Sequence, residues 1–166
     1  MSAVVVIVVL LVVAMIVGPL AMMRPTPAQK RRDSLRLAAR ELGLGVGFKR
    51  LPARATDTAE PESVPVYSLQ VKGGSHWLLV RTDYAHEMHL LQWWQPVGAP
   101  APEAVTAYLR ESLPKLPSDV AALGGQSSQL QVFWKERGDA EVVASIAEFL
   151  RGLAQAQGSP PVVEAR

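Results

Sequence analysis

The chain has 166 residues, of which 49% are hydrophobic, with 17 basic and 15 acidic side chains, a formal net charge of +2 and no cysteine. The missing thiols exclude disulfides, thiolate zinc sites and a cysteine nucleophile. Beyond the apolar N-terminal run the length suffices for one domain of ordinary size, not two.

The near-neutral total hides an asymmetry. Residues 24–54 hold 9 basic and 2 acidic side chains, a local +7, and the rest of the chain sums to −5. The run 3–23 carries no charge. About 20 apolar residues are needed for a helix to cross a ~30 Å hydrocarbon layer, and a lone span in lipid must be helical to satisfy its backbone. The run therefore predicts a transmembrane helix, with Pro19 as a bend near its exit. Arg24, Lys30, Arg31, Arg32, Arg36 and Arg40 come directly after it. The positive-inside rule places the C-terminal side of the run in the cytoplasm, with a periplasmic domain as the alternative. A cleaved signal peptide would want basic residues before the run and a small-x-small site after it, and neither is present.

Thr26 and Pro27 fit the N-cap and first position of a second, basic helix that ends at Gly43. Leu35, Ala38, Ala39 and Leu42 form its narrow apolar face. Its arginines could meet anionic lipid, at about 1 kcal/mol per basic residue near the surface, or serve only as topology determinants on a solvated face. Residues 45–51 alternate as a first strand. The stretch 52–65 is polar and Pro-bounded, a flexible loop.

Residues 66–72 and 75–83 flank Gly73-Gly74, which predicts a two-residue type I′ hairpin. That register puts Tyr67, Leu69, Val71, Leu78 and Val80 on a core face, and Ser68, Gln70, Lys72, Trp77, Leu79 and Arg81 on a mostly polar one. Met88–Gln95 reads as an inner strand, apolar on both faces. Glu103–Leu113 has helical spacing closed by Pro114, and Ser118–Gly124 reads as a short capped turn of helix. Gln129–Lys135 is a last strand, with Leu130, Val132 and Trp134 alternating against Gln131 and Phe133. Gly138-Asp139 caps the strongest amphipathic helix, whose apolar positions include Val142, Val143, Ile146, Phe149, Leu150 and Leu153. Residues 158–166 read as a disordered tail.

Among side chains that carry chemistry, His86 and His89 with Asp83 and Glu87 form the one cluster of ligand type. A zinc site wants three or four ligands of set geometry, and i and i+3 on a strand diverge, so exposed turn residues are the default. Ser75-His76 lacks a nucleophile elbow and an evident carboxylate. No phosphate-binding glycine loop follows a strand. Trp77, Trp93, Trp94 and Trp134 suit core or interface. Adjacent Trp93 and Trp94 cannot share one core, which leaves Trp77 or Trp93 as the candidate partner contact.

Met23-Arg24-Pro25-x-Pro27-x-Gln29-x-Arg31 after the span, Leu35-Arg36-x-x-Ala39, Leu42-Gly43-Leu44-x-Val46 and Val132-x-Trp134-x-Glu136-x-Gly138 resemble a group of uncharacterised single-span proteins of proteobacterial inner membranes. That resemblance implies an inner-membrane location and no particular activity. Arg24-Pro25 and Gln29-Lys30-Arg31 also resemble the Arg-Pro-Gln-basic exit of the YajC-type accessory subunit of the Sec translocon. The three residues between the two halves, and the absence of the Gly-Asp-x-Val and Gly-Gly pattern, depart from that family.

The expectation is an α+β protein. A transmembrane helix at 3–23 and a basic juxtamembrane helix at 24–43 precede a soluble domain at 44–157. The domain has four or five mostly antiparallel strands, with two or three helices mainly on one face. The function expected is a non-enzymatic, membrane-anchored module that binds a membrane or membrane-associated protein. It needs no cofactor or metal and contacts the lipid bilayer but no nucleic acid. The alternatives are a membrane-surface enzyme or metal protein using Asp83, His86 and His89, and a Sec-accessory-like or anionic-lipid-binding subunit.

Overall fold

The computed structural model describes residues 2–22, 26–52 and 63–162, with side chains of the first helix given to Val17. The chain divides into a unit at 1–33 and a unit at 34–166.

The first unit holds helix α1 (Ala3–Met22). Val4 to Val17 are exposed around its whole circumference. The helix is where the apolar run places it, but the expected membrane span is corrected: among the described residues, no helix is long and apolar enough to cross a membrane. Helix α2 (Pro27–Glu41) starts at a reciprocal cap. The Thr26 N–H donates to Gln29 Oε1 at 2.8 Å, and the Gln29 N–H donates to Thr26 Oγ1 at 3.2 Å. Two donors that the first turn leaves without helical partners are thereby satisfied.

In the second unit the strands are β1 (Gly45–Arg50), β2 (Ser63–Gln70), β3 (Trp77–Arg81), β4 (Trp94–Pro96), β5 (Val120–Gln126) and β6 (Gln129–Trp134). They form one sheet in the order β1-β2-β6-β5-β3-β4, antiparallel throughout. Six strands replace the four or five expected. Helices α3 (Glu103–Ser112) and α4 (Ala140–Gln157) and the end of α2 pack on one face. Val105, Leu109, Val143, Ile146, Leu150 and Leu153 meet Tyr67, Leu69, Leu79, Leu123, Leu130, Val132 and Trp134 there, all 5% exposed or less. Asp139 caps α4, as its position predicts, by accepting from the Glu141 and Val142 N–H groups.

The Gly73-Gly74 hairpin is a correction. β2 pairs with β1 and β6, while β3 pairs with β5 and β4. A type I′ turn needs positive φ at both central residues, and only Gly73 has it, at +75°. Gly74 serves another need. The chain there crosses the end of the β5–β6 hairpin so closely that a Cβ would lie 2.6 Å from the Gln126 carbonyl oxygen. With the pairing changed, β3 turns its other face to the helices: Trp77 and Leu79 are core, and Leu78 and Val80 lie opposite.

Two further elements differ. Ser118–Gly124 is not helical; its Ala-rich centre extends as β5 because β6 and β3 pair it on both sides. An irregularity between Val120 and Ala122 adjusts the register, and tertiary pairing overrides a weak local preference. Gly125 in that strand leaves room for the Trp77 indole, which a Cβ would strike, and for the Ser75 carbonyl oxygen 2.7 Å away. The inner strand expected at Met88–Gln95 is a turn followed by the short edge strand β4, with Leu91 and Gln92 at φ +50° and +67°. Of the polar loop expected at 52–65, residues 63–65 belong to β2, and 53–62 lie outside the described residues. β6 pairs with β2 only from Val66 onward, just past Pro65, which has no N–H to give. At the C-terminal end the Ser159 N–H donates to the Ala154 carbonyl, and Val71 bridges Pro161. Residues 158–162 are thus bound to the domain, while 163–166 lie outside the described residues.

Candidate functional site

The candidate site follows from an imbalance between the two faces of the sheet. All helices of the second unit lie on one face. The opposite, open face is built by strand alternation from Lys49 on β1, Val64, Val66 and Ser68 on β2, Gln129, Gln131 and Phe133 on β6, Ala122, Gly124 and Gln126 on β5, and Leu78 and Val80 on β3. Val64, Val66, Val80, Ala122 and Phe133 form a small apolar cluster there, flanked by Leu51, Leu78, Val97 and Ala121.

Two depressions indent this face. One, of about 340 Å³, has Lys49, Arg50, His76, Leu78, Gln131 and Phe133 in its lining. The other, of about 210 Å³, runs along β1 and β2 past Gly45, Gly47 and Ser68. Lys49 and Gln131 belong to both. Among the described residues neither lining contains an Asp or a Glu. At the shared floor Gln131 is 3% exposed, and its Nε2 has no hydrogen-bond partner. Gly124 and Ser68 are its cross-strand neighbours; the first offers no side chain, and the Ser68 hydroxyl donates to the Gly45 carbonyl oxygen. A buried amide N–H without an acceptor costs about 1–3 kcal/mol. The fold bears that cost at a residue that stands in the lining of both depressions.

The residues singled out in the sequence fall in different places. Trp77 is 4% exposed in the helix-side core, and its Nε1–H donates to Gln157 Oε1 at 3.4 Å, so it is a packing residue and no partner contact. Trp93 is 43% exposed on the turn into β4 and remains a candidate contact. Of the candidate lipid contacts, Arg24 lies outside the described residues, and Lys30, Arg31, Arg32 and Arg40 are exposed on α2.

Arg36 has a different role. Its Nε and Nη2 donate to the two oxygens of Glu136, each at 2.9 Å, while its guanidinium lies over the Phe48 ring. The Tyr67 hydroxyl donates to Glu136 Oε1 at 3.1 Å. Glu136 is held at φ +59° and is 3% exposed. Burial pushes the Tyr67 phenol well above its ordinary range, and the neighbouring Glu136 carboxylate raises it further, against a lowering by Arg36. This cluster ties α2 to the sheet, where sequence reading offered Arg36 as a candidate lipid contact or a topology determinant on a solvated face.

The histidine turn is compact. The His86 and His89 rings stand 5.0 Å apart. His86 Nδ1 accepts from the Met88 N–H at 3.2 Å, and His89 Nδ1 lies 3.5 Å from the Thr82 hydroxyl. Among the described residues no group of three or more His, Cys, Asp or Glu could hold a metal ion. His76 Nε2 lies 2.8 Å from the Ser127 hydroxyl, a distance that suits a nucleophile and its base. No carboxylate is bonded to the other ring nitrogen among the described residues, so the third member of a triad is missing.

Sequence reading placed Gln131 and Phe133 together, opposite Leu130, Val132 and Trp134, but it gave Gln131 no role. Its isolation follows from Gly124 beside it, and that pairing depends on β5 being a strand. In comparison with known proteins, no family model matches the chain, and no curated protein or solved structure matches it.

Proposed function

We propose that this chain is a non-enzymatic binding module that holds an extended segment of a protein partner against the open face of its sheet. The observation that carries the reading is the sheet face away from the helices: among the described residues an apolar cluster and two adjoining depressions share a buried amide with no partner of its own. Half-buried sheets usually turn a polar face outward. Here the outward face keeps five buried apolar side chains, Val64, Val66, Val80, Ala122 and Phe133. Trp93 offers a second contact on the turn into β4. Arrangements that acyl transfer or metal chemistry require support the alternatives less: the His76–Ser127 pair has no orienting carboxylate, and the His86–His89 turn has no third ligand among the described residues.

The test is a photo-crosslinking residue introduced at Ser68 on the open face, compared with one at Arg110, exposed on α3 in the helix layer. The module reading expects one protein species to be captured from Ser68 and not from Arg110. Equal capture from both positions, or none from Ser68, refutes it.

A further inference from the structure

We infer that the segment held on the open face carries acidic side chains, and that Lys49 and the Gln131 amide read its carboxylate. The inference rests on the binding-module reading above and adds the chemistry of the partner.

Three observations converge on it. First, among the described residues the larger depression has Lys49, Arg50 and His76 in its lining and no acidic side chain. Residues 34–166 hold 13 basic and 14 acidic side chains, so apart from Lys49 and Arg50 the rest of that unit sums to −3. An acidic segment is therefore attracted at this lining, and at physiological salt a charge is felt over only about 8 Å. Second, Gln131 Nε2 is a donor at the shared floor of both depressions with no acceptor. A carboxylate oxygen accepts such a bond more strongly than a neutral carbonyl. Third, Lys49 forms no ion pair among the described residues, so its ammonium need not give up a partner to meet a ligand. Phe133, Val66 and Leu78 supply the apolar floor beside these groups. The occupant that fits has an acidic and an apolar side chain at alternate positions of an extended chain, where i and i+2 face the same way.

The experiment titrates the full chain with a capped peptide of about ten residues repeating Glu-Ser-Val-Ser, so that Glu and Val share a face. Backbone amide shifts give both the affinity and the location. The Glu peptide should bind about tenfold or more tightly than its Gln analogue, and a Lys analogue should not bind. Shifts should centre on β1, β2 and β6, and binding should weaken as salt is raised. Lys49→Ala and Gln131→Leu should each weaken binding about tenfold. Gln131→Leu should do so while its melting temperature stays at or above that of the parent chain, which separates lost recognition from lost folding.

Equal binding of the Glu and Gln peptides overturns the acidic assignment and leaves the binding module standing. A free dicarboxylate that displaces the Glu peptide at equal concentration overturns the commitment to a peptide. Absence of shifts with every peptide also overturns the inference, and the crosslink at Ser68 then decides separately whether the open face binds a protein at all.

Discussion

Replacing Glu136 by alanine removes the acceptor for both the Arg36 fork and the Tyr67 hydroxyl. Breaking a buried ion pair by deleting one partner costs about 3–5 kcal/mol, chiefly because the other charge is stranded. The Arg36 side chain is 25% exposed and that of Glu136 only 2%, so the stranded guanidinium keeps some access to water. The lower end of that range, about 3 kcal/mol, is the expectation. Glu136 also sits at φ +59°, where a residue with a Cβ is strained by about 1–2 kcal/mol and glycine is not. Alanine keeps that strain and glycine releases it. Glu136→Gly should therefore be more stable than Glu136→Ala by about 1 kcal/mol, even though it deletes more of the side chain. For a domain of this size 1 kcal/mol corresponds to roughly 4 °C in Tm. The alanine variant should melt about 12 °C below the parent and the glycine variant about 8 °C below it. Thermal unfolding followed by far-ultraviolet circular dichroism measures both. A fall of less than about 2 °C for alanine, or a glycine variant less stable than alanine, refutes the account of the cluster.

The same cluster sets a pH dependence. The Tyr67 phenol is raised in the folded chain above its ordinary value of 10.0, so unfolding above pH 10 releases a proton. Stability is then full below pH 10 and falls as pH rises, by up to about 1.4 kcal/mol per pH unit; urea titrations of Tyr67→Phe should lack that component. Gly125→Ala should destabilise by about 1–3 kcal/mol, because its Cβ meets the Trp77 indole and the Ser75 carbonyl, and chemical denaturation measures the loss. Asp139→Ala removes an acceptor shared by two N–H groups at the start of α4, and a loss of about 1 kcal/mol in the same assay is expected.

Elements held by local signals were legible in the sequence. The Thr26-Pro27-x-Gln29 start of α2, the Pro102 to Pro114 limits of α3 and the Asp139 cap of α4 each depend on residues a few positions apart. Elements defined by distant partners were not. Gly73-Gly74 has the composition of a tight turn, but β6 competes for β2 and wins, and that pairing joins segments far apart in the chain. Ala-rich 120–123 favours a helix by itself and becomes a strand because two neighbours supply its hydrogen bonds. The site is legible only in part for the same reason. Alternation in β6 shows that Gln131 and Phe133 share a face. That no partner reaches the Gln131 amide depends on Gly124 beside it, and hence on the one strand that local preference hides. The Arg36–Glu136 pair was not legible because a basic stripe on a helix shows its charge and not the buried carboxylate, 100 positions away, that it meets.

The route of the chain across the end of the β5–β6 hairpin also bears on how the protein is born. β2 and β3 leave the ribosome early, yet Tyr67 waits for Val132 and Leu79 for Leu123. Such distant pairings slow folding, since a long loop must close before any contact rewards it. A nascent chain halted before Gln129 has β2 made on one side only, with its second edge open to any strand nearby. The last bonds, from the Lys72 and Val162 N–H groups to the Pro160 and Gln70 carbonyls, wait until residue 162 has been made. Translation of this protein therefore carries a window of exposure that stays open until residues 129–162 have emerged.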